Sequence, residues 1–489
     1  MSSDHKGPRH RCQLVAWVAT AIMATTVCYS VVRIPLQVTD TLVPLLEAQQ
    51  IPSVTAAFVS GATNAGYFRP LRAAQIQALF ELSKGNYHPA FKGFQAAMVL
   101  VVFALFVLVL EVNSLMRLWA LLFALTVMMG IHTFRGTVWE AYPVNHSLEV
   151  VAFCLLALVL VRSRGGWWVD AAAAITMVAA ALTVESGLLV WVVVAAGWVT
   201  GARGISKRGV LILTLIVAGY LALRFGYLGT GVPALTERSS GFGLRQLGPG
   251  ELQRRFGAWP YGFYAYNVIS SLLTVLMSEP RGGIWMIPAE AARGRVAAGT
   301  LINVVSSLIT TAIIAWATVA RIPLWTRRSA DATVVRPPAR FDRDDQLLVV
   351  SLAVIVANAV ISYGYTKDEI MGPGGVFYAI AAFVAIAKLL SRIPNPESRI
   401  PDSAVLALAV FIASTGWVER AAGLHYQMNL MTFYDRNEWV FVDDWLGRQH
   451  AAPTTDAGRT LVRQLQDQAI ERTAVNPYLL SPRLDQWFR

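Results

Sequence analysis

Apolar runs long enough to carry a helix across a ~30 Å hydrocarbon layer recur along most of this 489-residue chain. In lipid the backbone finds no water to bond, so such runs must close their own hydrogen bonds as helices. The chain is therefore expected to be an all-α polytopic membrane protein. Composition agrees. Hydrophobic residues make up 55% and charged residues 15%, against about 25% charged in soluble domains, and the mean hydropathy is +0.50. This excludes a disordered chain, a coiled coil and an ordinary cytosolic enzyme. The net charge of +11 does not point to nucleic acid, because the basic residues gather in short loops between apolar runs, as orientation signals do. The three cysteines, Cys12, Cys28 and Cys154, form no CxxC pair, which argues against a metal or disulfide framework.

Hydropathy and charge give about eleven spans. The basic start Lys6–Arg11 precedes the run Gln13–Val32. No small-x-small cleavage site follows it, so it reads as an uncleaved anchor with residues 1–12 cytoplasmic. Residues 13–419 then form a transmembrane bundle, with spans at Phe91–Leu110, Leu115–Ile131, Leu148–Val161, Trp167–Thr183, Gly187–Thr200, Val210–Phe225, Leu301–Val319, Leu347–Tyr363, Val376–Leu390 and Ala404–Val418. The extracytoplasmic loops are 35–88, 132–146 and 227–297. Within the last, 259–278 is read as re-entrant or interfacial. A full crossing there would place the arginine-rich stretch 321–345 outside, against the positive-inside bias. An odd number of spans leaves the segment 420–489 extracytoplasmic. Its stretch Thr460–Arg472 carries Leu461, Val462, Leu465, Ala469 and Ile470 on one helical face, which is expected to dock on the outer face of the bundle.

Most polar sequence lies on the outer side, so that is where chemistry is expected. In the first loop Asp40 stands a few residues past the first span. Two readings of it are open: an N-cap for a helix Thr41–Gln49, or a functional carboxylate. Tyr67-Phe68-Arg69-Pro70-Leu71-Arg72 follows in the same loop, and His88-Pro89 closes it.

A long first outer loop with an acidic residue just past the first span, then Tyr-Phe-Arg-Pro-Leu, then His-Pro, resembles the GT-C-type glycosyltransferases. Those are multi-span enzymes that take sugars from polyprenyl-phosphate carriers. Phe134–Ala141 resembles the second outer loop of the subgroup carrying a Tyr-Arg-Pro-Leu segment, and Val184-Glu185-Ser186 its short acidic hairpin. Tyr363–Glu369 with Phe377-Tyr378-Ala379 resembles a late outer-loop motif. The likeness covers residues 10–390 in layout and is loose in letters. It departs where many members carry two adjacent acidic residues: here Asp40 is alone, with Glu47 seven residues on. That puts a tightly held divalent metal in doubt, and no metal ligand or cofactor is assigned.

The resemblance implies sugar transfer to an acceptor hydroxyl, with Asp40 as general base. Substrate-contacting candidates are Arg69 and Arg72 on phosphate, with Arg281 or Lys367 as alternatives, and Glu140 and Glu185. Partners are then membrane lipid, a lipid-linked sugar donor, and an acceptor glycan, lipid or protein. Each residue also has a plainer reading. Arg69 and Arg72 can snorkel to headgroups, Glu185 can bond a neighbouring helix, and Lys367 can be a solvated loop charge. Two other functions compete: a transporter or flippase of a lipid-linked substrate, which needs ionisable groups near the midplane, and a scaffold presenting the C-terminal segment.

Overall fold

The computed structural model describes residues 7–63, 67–140, 142–229, 239–241, 247–277, 286–294, 296–321, 341–366, 368–391, 402–449, 452–473 and 475–488. Among the described residues the chain is helical, with only isolated bridges at Ser239–Leu247 and Ser240–Tyr365 in place of strands. Seven helices among the described residues are long and apolar enough to cross a membrane, or eight if one bent pair counts as a single span. The protein is a multi-pass membrane protein of the all-α class.

After α1 (Gly7–Val31) come α2 (Val38–Gln50), α3 (Val54–Thr63) and α4 (Pro70–Ser83). The stretch expected as a first loop is thus largely helical. Next are α5 (Tyr87–Leu110), α6 (Leu115–Gly130), α7 (His132–Trp139), α8 (His146–Arg162), α9 (Trp167–Thr183) and α10 (Leu189–Val199), with a 3₁₀ turn at Glu185–Leu188. Then follow α11 (Lys207–Leu221), prolonged by a π-helical turn at Ala222–Tyr227, and α12 (Pro249–Phe256), α13 (Tyr261–Leu276), α14 (Met286–Ala292) and α15 (Ala298–Val319). The chain ends with α16 (Arg343–Ile361), α17 (Gly372–Leu390), α18 (Asp402–Val440), α19 (Val442–Gln449), α20 (Asp456–Glu471) and α21 (Pro482–Phe488).

Three boundaries differ from the sequence reading, each for a physical reason. First, α5 begins at Tyr87, so His88-Pro89 lies inside its first turn, where proline removes no helical bond. Second, 132–139 is no solvated loop. It is α7, bent 63° from α6, with every residue from His132 to Val138 buried. Third, α18 does not stop near Val418 but runs unbroken for 39 residues. At 1.5 Å per residue that is roughly 60 Å, about twice the hydrocarbon thickness.

The core helix is α17, almost wholly buried. Its sequence explains why: Gly372 and Gly375 face Thr137 and Thr133 of α7 so closely that a Cβ would lie 2.2 Å from each hydroxyl oxygen. Small residues let helices approach where no hydrophobic force drives them together. On the periphery, Ile175, Val199, Leu215 and Phe411 stay more than half exposed, as a lipid-facing surface would. Buried Arg420 of α18 is fully engaged. Its Nη1 donates to the Ser306 and Ser307 hydroxyls (3.0 and 2.8 Å) and its Nε to Gly130 O (3.2 Å), tying α18 to α15 and α6.

Ion pairs gather helix ends at one pole of the bundle. Glu111, after α5, meets Arg162 of α8 (3.1 Å) and Arg343 of α16 (2.5 Å). Arg117 of α6 grips both oxygens of Asp344 (3.1 and 3.0 Å), and Arg321, after α15, meets Asp342 and Asp345 (3.2 and 3.0 Å). Asp170 of α9 accepts from Ser206, just before α11 (2.6 Å). So α11 begins at this pole and α15 ends at it. Between them in the chain, Asn267 of α13 donates to Tyr363 O past the other end of α16 (2.8 Å). The C-terminal carbonyl of α13, Leu276 O, accepts from Thr311 well inside α15 (2.5 Å). Thus α13 enters the bundle partway from the pole opposite the ion pairs.

Candidate functional site

That opposite pole holds a cavity of about 510 Å³. Asp40, Arg69, Arg72, Glu140 and Glu185, from four separate stretches of chain, all line it. Arg281 and Lys367, the other two candidates, lie outside the described residues.

The position of Asp40 follows from local sequence. Val31–Gln37 leaves α1 with Pro35 preventing its continuation, and α2 restarts at Val38 with Gln37 as N-cap. Asp40 is therefore the third helical residue and not the cap. Pro44 and Glu47 lie four and seven residues on, and all three line the cavity from one face of α2, as helical spacing dictates. Opposite them, apolar Leu42 and Leu45 are buried. Asp40 is exposed to the cavity, and among the described residues its carboxylate has no hydrogen-bond or ion-pair partner. Burial pushes the Glu47 carboxyl above the ordinary range.

Arg69 is the N-cap residue of α4, with Pro70 at the first helical position, where its fixed φ suits a helix start. That junction aims Arg69 Nη2 at Glu185 Oε2 (2.8 Å). The other oxygen of Glu185 takes Arg224 Nη2 (2.8 Å), and Arg224 Nη1 donates to the Tyr220 hydroxyl (2.9 Å). Arg224 sits in the π-helical turn, a distortion that often marks functional positions. Burial alone would raise the Glu185 pKa, but the two guanidiniums outweigh it and hold the group down to about 2. Glu185 thus bonds neighbouring helices, the plainer of its two readings, and it also lines the cavity.

Arg72, one turn beyond Arg69, is different. Its guanidinium stacks over the Tyr142 ring at 5.7 Å; burial and then neighbouring Arg69 push its pKa down, and Glu140, Tyr142 and Asp40 only partly offset them. Arg72 makes no hydrogen bond among the described residues, and its Nε is buried without a partner. An arginine fork held on an aromatic face with its donors unused is suited to an incoming anion. Behind the wall, Gln75 Nε2 donates to buried Glu149 (3.1 Å).

Sequence reasoning alone gives no notice to Glu149 and Tyr142, and reads Arg224 only as a charge near a span end and His146 only as a polar anchor beside the second outer loop. A lone acid inside the apolar run 148–161 was the available signal for Glu149. Tyr142 and His146 stack on each other (5.5 Å), and only the fold brings them to the cavity. Among the described residues no cluster of three or more His, Cys, Asp or Glu is placed to hold a metal ion. Comparisons with family profiles, characterised proteins and solved structures returned no match, so function is argued from this chain's own chemistry.

Proposed function

We propose that this protein is an integral membrane glycosyltransferase that moves a sugar from a polyprenyl-phosphate donor to an acceptor hydroxyl. One observation carries the reading: an unpaired carboxylate, Asp40, and an unpaired guanidinium, Arg72, face one cavity at one pole of a lipid-embedded bundle. Transfer needs both. The acceptor oxygen attacks the anomeric carbon as Asp40 takes its proton. The bond from that carbon to the phosphate oxygen breaks, and the oxygen leaves with the bonding electrons. Arg72 offers the departing phosphate two parallel N–H donors. Attack from the face opposite the leaving group inverts the anomeric centre. Arg69, fixed by Glu185, lines the same cavity, and in this reading Glu140 and Glu185 meet sugar or acceptor hydroxyls from its wall.

The same reading sets the protein in the cell envelope with about eleven spans, the ion-paired pole and residues 1–12 cytoplasmic, and the cavity and residues 420–489 extracytoplasmic. In support, the arginine-rich stretch 321–345 begins and ends at the ion-paired pole, and the last carbonyl of α13 meets Thr311 partway along α15. A cysteine replacing Ala332, which lies outside the described residues, should resist an impermeant thiol reagent on intact cells. Ready labelling would invert the orientation.

The deciding experiment is transfer by the purified protein from a panel of polyprenyl-phosphate sugars. Release of polyprenyl phosphate matched by glycosylated acceptor is expected; no turnover of any donor would refute the proposal. Arg72→Ala should then lose about 10- to 150-fold in kcat/KM, the value of roughly 1.5–3 kcal/mol for hydrogen bonds to a charged group. Arg72→Lys should recover only part of it, because an ammonium lacks the planar fork.

A further inference from the structure

Helix α2 carries Asp40 on its first turn, where the first N–H groups of any helix lack intrahelical partners. Its own N-cap, Gln37, makes no side-chain capping bond. The missing acceptor comes from the far end of the chain. Glu438, near the end of α18, accepts from the Val38 N–H through Oε2 (3.2 Å). A carboxylate there meets the positive end of the helix dipole as well as an orphan donor.

This contact is one of a set. The indole Nε1 of Trp439, the next residue, donates to Leu36 O. Trp439 is fully buried in an apolar cluster with Val38, Leu42 and Leu45 of α2 and Leu461 and Leu465 of α20. Gln468 of α20 accepts from the His88 N–H (3.0 Å) and donates to Gly85 O (2.6 Å). His88 in turn bonds Ile34 O (3.2 Å). So the segments just before and just after the first-loop helices are both fastened to the C-terminal segment.

We propose that Glu438 is the positioning residue for Asp40. The overlong α18 delivers an acceptor from the far end of the chain to the N-terminus of α2, and so fixes the height and direction at which Asp40 enters the cavity. Glu438 does not line the cavity, so it acts through Asp40 and not on substrate. The inference rests on the reading of Asp40 as the base, but the cap itself is testable without activity.

The test compares Glu438→Ala and Glu438→Gln in the full-length purified protein. A glutamine carbonyl can accept the same Val38 N–H bond, whereas alanine cannot. Hydrogen exchange at the Val38 amide should quicken in Glu438→Ala and stay near wild type in Glu438→Gln. For sugar transfer, Glu438→Ala should lose roughly 10- to 100-fold in kcat, the scale of a small misplacement of a catalytic group, with donor KM unchanged. Glu438→Gln should keep at least half the wild-type kcat. Unchanged exchange and unchanged kcat in Glu438→Ala would overturn the proposal, as would equal kcat losses in both variants. If Glu438→Ala fails to accumulate, Trp439→Phe decides: it keeps an aromatic ring, a smaller one, but loses the bond to Leu36 O, and must lower kcat without raising donor KM. Quickened exchange in a protein that turns over no polyprenyl-phosphate sugar would leave the cap intact and remove the glycosyltransferase reading.

Discussion

Asp40→Asn is expected to lower sugar transfer by about 10²- to 10⁴-fold, the usual contribution of a positioned general base, while membrane abundance and thermal stability stay at wild-type levels. Asparagine keeps the shape of the side chain and cannot take a proton from a hydroxyl. The fold should not notice the change, because Asp40 is exposed to the cavity and gives the rest of the chain no hydrogen bond or ion pair among the described residues. Few carboxylates of this cavity offer so clean a separation. Glu185 is held between two arginines, and Glu140 is buried beside the α7 terminus. The measurement is initial rate at saturating donor and acceptor with the purified variant. A rate equal to wild type would mean that another group, with Glu47 on the same helix face the next candidate, accepts the proton.

How far the residues alone carried this picture depends on the distance over which each feature is decided. Apolar helices were legible because the bilayer imposes one polarity on long runs, and α5, α6, α9, α15 and α17 each fall within a few residues of their hydrophobic runs. The number of crossings was not, since among the described residues only seven or eight helices, against about eleven expected spans, are long and apolar enough to cross. The helical face of α20 was legible for the same local reason: Leu461, Val462, Leu465 and Ala469 are buried together. The long continuation of α18 was not, because polar residues after Trp417 look like the end of a span. They stay helical since Arg420 bonds α15 and α6 and Trp439 is buried against α2. At the candidate site, Asp40, Arg69 and Arg72 were found from their place in the first loop. What no local pattern encodes is which charges cancel. Arg69 and Arg72 are three residues apart in sequence, yet one is consumed by Glu185, 116 residues away, and the other is left unbonded. Partner choice across the fold, not residue type, separates a structural arginine from one available to a substrate.

That distinction makes Glu185→Ala the most damaging substitution expected for stability. Arg224 is 2% exposed and shares Glu185 with Arg69. Deleting the carboxylate leaves buried cationic groups with too little compensation, which costs about 3–5 kcal/mol when one partner of a buried ion pair is removed. Glu185→Gln should cost less, because the amide oxygen still accepts a hydrogen bond. The pH dependence follows from the depressed pKa. Folded, the carboxyl titrates near 2, against an ordinary value of 4.5; the folded state therefore favours the ionised form. The resulting stabilisation, on the order of 3 kcal/mol by linkage, is complete above about pH 4.5 and is lost as pH falls toward 2. Thermal unfolding of the detergent-solubilised protein between pH 6 and pH 3 should show wild-type stability declining through the lower half of that range. In Glu185→Gln the curve should start lower and fall less steeply, because no carboxyl remains at this position to be protonated. Parallel wild-type and variant curves would show that the Arg69–Glu185–Arg224 cluster contributes little to holding α4, the 3₁₀ turn and the π-helical turn together. In that case Arg69 would be as free as Arg72 to meet an anion, and the wall of the cavity would have two cationic forks to offer a phosphate instead of one.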